Sequence, residues 1–202
     1  MKAVLISIQP KWAEKIAKDE KTIEVRKTAP QEVLFKAYIY CTKEKKQDDI
    51  IWAGVCGDRG KWNGRVIGEF VCDKVFLLHP YTYDGGNADR ERRKLIQTFE
   101  GSSKENEILA ATCLTQDEMF DYIGAGNYGY GWHISDLKIY DKPKELSEFK
   151  KTKERIAITC GMQAGNGLCR AIDYEELCDN IKCCFKTPCP PQSWCYVEEI
   201  EE

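Results

Sequence analysis

A chain of 202 residues, 43% hydrophobic and 31% charged, has a globular composition, enough for one generous domain and too little for two full ones. Its formal net charge of −3 excludes a protein that grips nucleic acid chiefly by neutralising phosphates, so any such contact must be local. No apolar run reaches the roughly 20 residues of a spanning helix. The opening MKAVLISIQP is too short, and too soon broken by Pro10, for a signal peptide, so the cytoplasm is the expected compartment.

The first element is a strand, Ala3 to Ile8, and Pro10 suits the first turn of a short helix behind it. Along Lys11 to Lys18, Trp12, Ala13, Ile16 and Ala17 share one helical face, and Asp19 and Glu20 end the helix. Thr22 to Lys27 alternates like a strand, with Ile23 and Val25 on one side and Thr22, Glu24 and Arg26 on the other, so one face is polar. Two more strand-like runs, Val33 to Thr42 and Ile50 to Cys56, flank a charged link, Lys43 to Asp49. After the glycines of Gly57 to Gly64, Arg65 to Leu78 reads as one long strand closed by a turn at His79-Pro80. Asp84 to Lys104 is polar and reads as an insertion with a helix at Asp89 to Phe99. Thr115 and Glu118 have capping-box spacing ahead of Met119, Phe120 and Ile123, and Gly124 stops that helix. Gly126 to Gly131 reads as a loop and Trp132 to Tyr140 as a strand ending at Lys142-Pro143. Ser193 to Ile200 alternates again, with Trp194 and Tyr196 on one face and Cys195 and Val197 on the other. Six or seven strands, short helices and no regular βαβ alternation predict an α+β fold built on a mixed β-barrel.

Ser7-Ile8-Gln9-Pro10, followed by Glu20-Lys21-Thr22-Ile23-Glu24-Val25-Arg26-Lys27, resembles the opening signature of the ASCH family. Val66-Ile67-Gly68-Glu69-Phe70, Tyr130-Gly131-Trp132-His133-Ile134 and Tyr140-Asp141-Lys142-Pro143-Lys144-Glu145-Leu146 fit the same family. The resemblance covers residues 3 to 149 and the closing stretch from Pro190 to Val197, and is to ASCH proteins of the kind found in phages and Firmicutes. It implies a PUA-like barrel over 1–149, a cysteine-rich insertion over 150–189, and a C-terminal strand, 190–202, returning to the barrel. Asp19 and Glu20 depart from it, because glycine is common in that turn. The superfamily includes many RNA-binding and modified-base-reading domains. Some small ASCH proteins are amidohydrolases that remove an acetyl group from the exocyclic amine of cytidine with a lysine, a threonine and a glutamate. Their lysine falls on Lys21, but their threonine falls on Glu24, which removes the hydroxyl nucleophile. Thr22, two residues away along the strand, is no simple substitute.

Glu24 and Arg26 share a strand face with Thr22, their heads about 7 Å apart, and Lys21 sits at the mouth of that strand. Together they offer donors and acceptors for a base edge and a cation for a phosphate. Glu69, between Ile67 and Val71, is a polar residue on an apolar face, and meeting Lys21 would make an acid–base pair. Lys21, Glu24 and Glu69 are thus the candidate catalytic residues. Candidate ligand contacts are Gln9 from the signature, Lys21, Thr22, Glu24 and Arg26 on the strand, and Trp132 with His133, where an aromatic could stack on a base. The plainer reading makes Glu24 and Arg26 surface charges, Glu69 an edge ion pair, and Trp132 and His133 core residues.

Of eleven cysteines, seven follow residue 150, spaced Cys-x8-Cys-x8-Cys-x4-Cys-Cys-x4-Cys-x5-Cys from Cys160 to Cys195, without a Cys-x2-Cys knuckle. That glycine- and proline-bearing segment has little apolar material, and metal ligation would stabilise it. A structural zinc on Cys160, Cys169, Cys178 and Cys183 is one reading. Idle reduced cysteines are another, and disulfides, disfavoured in the cytosol, a third. The sequence names no other cofactor. Three functions follow: binding of RNA, a nucleotide or a modified nucleobase in the barrel mouth; hydrolysis of 4-acetylcytidine-like nucleosides; and a protein-binding accessory role for a phage or mobile element, through residues 84 to 110 and the tail.

Overall fold

The computed structural model describes residues 2–43, 62–84, 92–98, 102–152 and 190–200. The expected strand at Ile50 to Cys56 and Cys160, Cys169, Cys178 and Cys183 lie outside them. Strand β1 (Ala3–Ile8) is buried along its whole length, as befits a strand covered on both faces. It lies between β3 (Phe35–Cys41), which runs parallel to it, and β9 (Trp194–Val197), which runs antiparallel. The parallel pair needs a crossover, and this carries helix α1 (Pro10–Ala17) and strand β2 (Ile23–Arg26). With β4 (Val66–Cys72) and β8 (Ser135–Lys144) the first sheet has the order β8-β4-β3-β1-β9. The second, antiparallel, has the order β2-β7-β5-β6 with β7 (Gly129–His133), β5 (Val75–Asp84) and β6 (Arg92–Thr98).

Val4, Ile6, Phe35 and Phe70 of the first sheet pack with Ile16 of α1 and Trp132 of the second sheet. The far face of the second sheet, through Ile23, Val25, Phe76 and Leu78, is covered by α2 (Ser102–Ala111) and α3 (Gln116–Ile123). A third cluster, with Leu5, Tyr38 and Tyr140, covers the outer face of the first sheet under Phe149. The fold is mixed α+β, but the strands do not close a barrel: among the described residues no ladder joins the two sheets. No helix among these residues is long and apolar enough to cross a membrane.

Several expected boundaries are corrected by strand pairing. Arg65 to Leu78 is two strands, parted at the exposed, charged Asp73-Lys74, and β5 runs on through His79-Pro80 to Asp84. Pro80 lies opposite Ile96 of β6 and past the last β5–β7 pair, Leu78 with Gly129. A missing N–H on the open side there costs no ladder bond. Asp89 to Phe99 contains strand β6 in place of a helix: Ile96 and Thr98 are buried while Gln97 is exposed, a period of two. Trp132 to Tyr140 is also two strands, parted at Ile134, and β8 continues past Pro143 to Lys144.

The expected loop at Gly126 to Gly131 gives its last three residues to β7. In Tyr128-Gly129-Tyr130-Gly131-Trp132 the aromatics take one face and the glycines the other. A Cβ on Gly129 would lie 2.4 Å from Ile123 Cδ1, and one on Gly131 2.9 Å from Ile23 Cγ2. Glycine here lets α3 lie directly on the sheet.

Candidate functional site

Helix α1 gives way to a turn at Asp19, whose φ of +56° is left-handed. Aspartate is among the few residues that take this conformation readily, which is how the turn forms without the glycine common there in ASCH proteins. The amides of Glu20 and Lys21 both bond to Lys15 O, at 2.9 and 3.2 Å, and the reversal delivers Lys21 to the start of β2. Its Nζ donates to Ile23 O at 2.9 Å and Thr112 O at 2.6 Å, and lies 3.4 Å from Glu24 Oε2. Two of the three donors of the ammonium thus go to backbone carbonyls, and Glu24 is its counter-charge.

Glu24 Oε1 forms an ion pair with Arg26 Nη2 at 2.9 Å. The same nitrogen donates to Ser7 O at 2.6 Å, and Nη1 reaches Ser193 O and Oγ at 3.5 and 3.4 Å. Arg26 Nε has no partner among the described residues. Exposure is 2% for Lys21 and 6% each for Glu24 and Arg26, so the polar face of β2 is enclosed and not solvated. Two cations around one carboxylate leave a formal excess of one positive charge. Such a cluster offsets its desolvation only when nearly every polar atom is satisfied, which makes the orphan Nε conspicuous.

A cleft of about 1160 Å³ opens over this cluster. Trp12 of α1 and Tyr122 of α3 line it, Gln9 stands at its rim, and Pro190 to Gln192 supply another wall. Lys11 Nζ lies 4.2 Å from the centre of the Trp12 ring and Lys27 Nζ lies 5.3 Å from that of Tyr122, so each aromatic carries a cation. Burial raises the Tyr122 phenol above its ordinary range, opposed by Arg26 and reinforced by Glu24. It is therefore a neutral hydroxyl at physiological pH. Aromatic rings, an acceptor with spare lone pairs, an excess of positive charge and lysines beside the rings suit a flat, polar, phosphate-bearing heterocycle.

The structure thus brings Gln9, Lys21, Glu24 and Arg26 to one cleft. Thr22 uses its backbone on both sides, bonding to Ala111 O and accepting from Ile134 N, and does not line the cleft. Glu69 stays apart from Lys21. It pairs in register with Tyr38 on the outer face of the first sheet, 3.6 Å from Lys36 Nζ, and accepts from the Tyr140 hydroxyl at 2.5 Å. Trp132 is wholly buried, edge-on to Phe35 and Trp194. His133 pairs with Asp73 at 2.6 Å, a bond that lowers the Asp73 pKa. Neither Trp132 nor His133 lines the cleft.

Trp12 and Tyr122 are the residues sequence reasoning missed. Trp12 reads as part of an apolar helix face, and the one hint for Tyr122 is its place just off the buried stripe of Met119, Phe120 and Ile123. No cluster of His, Cys, Asp or Glu suited to a metal occurs among the described residues.

No family model matches the chain, and none of the curated proteins matches it. Among solved structures it is similar to the ASCH protein of Zymomonas mobilis, at 14% identity over 98% of this chain and 88% of that one, with a TM-score of 0.49. It is also similar to two point mutants of that protein. One shares 16% identity over 73% and 81% of the two chains at a TM-score of 0.45. The other shares 14% over 98% and 89% at a TM-score of 0.48.

Proposed function

We propose that the cleft binds a nucleotide, a modified nucleobase or one nucleotide of an RNA, in a cytoplasmic protein, and does not hydrolyse it. The observation that carries this reading is the enclosed Lys21–Glu24–Arg26 cluster under an aromatic-walled cleft. Glu24 retains lone pairs for ligand N–H groups, the two cations around it leave a positive excess for an anionic group, and Trp12 and Tyr122 offer stacking surfaces. The ASCH resemblance supports it, since that superfamily includes many readers of RNA and modified bases. The phage- and Firmicutes-type affinity rests on the sequence motifs.

The hydrolytic reading has weaker support. Lys21 gives two donors to backbone carbonyls and pairs its charge with Glu24, Glu24 stands where the nucleophilic threonine is expected, and Glu69 lies on another face. The accessory-factor reading draws on residues 84 to 110, where β6 and α2 are integral to the second sheet and its core.

Calorimetric titration with the ribonucleoside monophosphates and with 4-acetylcytidine tests the proposal. Binding of at least one of them is expected, weakened about tenfold in Trp12→Ala or Tyr122→Ala, with no acetate released. Acetate release that disappears in Lys21→Ala would establish the hydrolase instead, and failure of the whole panel to bind would remove the assignment.

A further inference from the structure

The second sheet carries another constellation outside the cleft. Alternation along β5 and β7 turns the glycines and Leu78 toward the helices and sets His79, Tyr81 and Tyr128 on the opposite face. Burial falls away along that face, from the enclosed Trp132 through the half-buried Tyr130 to Tyr128, which is 49% exposed. One step past the last β5–β7 pair, the His79 ring stacks on Tyr128 with centroids 5.0 Å apart and planes 29° apart. It also stacks with Tyr81, whose centroid is 6.4 Å away with the planes 16° apart. The row begins beside the cleft floor, because Arg26 pairs with Tyr130 and Tyr130 with Leu77, two residues from His79. At its far end, register sets Arg93 of β6 opposite Tyr83, on the alternation that carries His79 and Tyr81, while Arg92 and Lys94 take the other.

The chemistry of this face selects its occupant. Its exposed large apolar residues are tyrosines, Tyr81 and Tyr128, while the exposed aliphatics, Val33 and Leu34, lie just ahead of β3 in the other sheet. A histidine ring stacked with two tyrosines on a strand scaffold, with one basic position, Arg93, further along the same face, suits flat bases joined by phosphates better than an aliphatic protein surface. Stacking also needs no overall basic excess, in keeping with the net charge of −3.

We propose that His79, Tyr81 and Tyr128 form a stacking platform for unpaired bases of a single-stranded nucleic acid, one nucleotide of which enters the cleft. This rests on the nucleotide reading of the cleft and extends its ligand from a mononucleotide to a strand.

The test uses the full chain, fluorescence anisotropy with a labelled oligoadenylate of about 12 nucleotides, and calorimetry with the ribonucleoside monophosphates. RNA and DNA oligomers of the same sequence distinguish the two kinds of strand. Tyr81→Ala and Tyr128→Ala are each expected to weaken oligomer binding about tenfold and leave monophosphate binding unchanged. Tyr128→Phe, which keeps the ring, should bind like the unsubstituted protein. Ultraviolet cross-linking of the unsubstituted complex checks the contact without a substitution, with cross-links expected on residues 79 to 81 or on 128.

Oligomer affinity unaltered by both alanine substitutions, with Trp12→Ala still weakening both ligands, overturns the platform and spares the cleft. Oligomer binding that needs the tyrosines, in a protein that binds no monophosphate and ignores Trp12→Ala, overturns the cleft reading and keeps the platform. A protein that binds neither ligand overturns both.

Discussion

Glu24 stands between two enclosed cations, so the stability of the cleft floor depends on it more than on either partner. Replacing it with alanine strands Lys21 and Arg26 together without a counter-charge, and Glu24→Ala is expected to cost about 3–5 kcal/mol in urea denaturation. Lys21→Met leaves Glu24 paired with Arg26 and frees two carbonyls, a smaller loss. Equal losses for the two would contradict the role given to Glu24. The sequence makes the charged face of β2 legible through its period-two pattern, and the ASCH-like motif marks the same residues. Enclosure is not legible, because the groups that close over the face come from far along the chain: Thr112 O lies 91 positions from Lys21 and Ser193 lies 167 from Arg26. For the same reason, nothing local to Glu69 tells which side of the first sheet it takes.

Local chemistry decides how well each element can be read. Helix α3 follows from its sequence because its signals are internal: Thr115 and Glu118 form a reciprocal capping box, and Gly124 ends the helix with φ +92°. The Thr115 backbone and hydroxyl groups lower the Glu118 pKa. A depressed carboxylate contributes stability above its unfolded value, near 4.3, that is lost as pH falls through its folded value. The melting-temperature gap between the unsubstituted protein and Glu118→Gln should therefore be open at neutral pH and close below about pH 4. A gap constant across that window would contradict the assignment.

Strands β5, β6 and β7 are harder to read, since a strand's identity depends on neighbours that a linear window does not contain. His79-Pro80 looks like a turn until β7 is seen to end before it, and Gly126 to Gly131 looks like a loop until α3 is seen lying on Gly129. Gly129→Ala should cost about 1–3 kcal/mol from overpacking against Ile123. Gly131→Ala, with its wider clearance from Ile23, should cost less, and thermal melts of the two variants order them.

At the scale of the molecule, the cleft lies where the two sheets meet, and Arg26 spans the junction. It belongs to β2 of the second sheet, yet its guanidinium bonds to Ser7 O at the end of β1 and reaches Ser193, just ahead of β9. The succession of β1, α1, β2 and β3 follows the expected element order, and the parallel pairing of β1 with β3 is added by the structure. The split into two sheets does not, because the number and length of strands leave closure undetermined. A ligand engaging Arg26 would bind across the junction and raise the melting temperature by mass action. Most direct is arginine side-chain NMR, with the Arg26 Nε–H signal assigned by its loss in Arg26→Lys. Titration with the ribonucleoside monophosphates should shift that signal saturably, at the concentration where Trp12 fluorescence changes. An Arg26 signal unmoved while a monophosphate binds elsewhere, or no binding at all, would contradict the account.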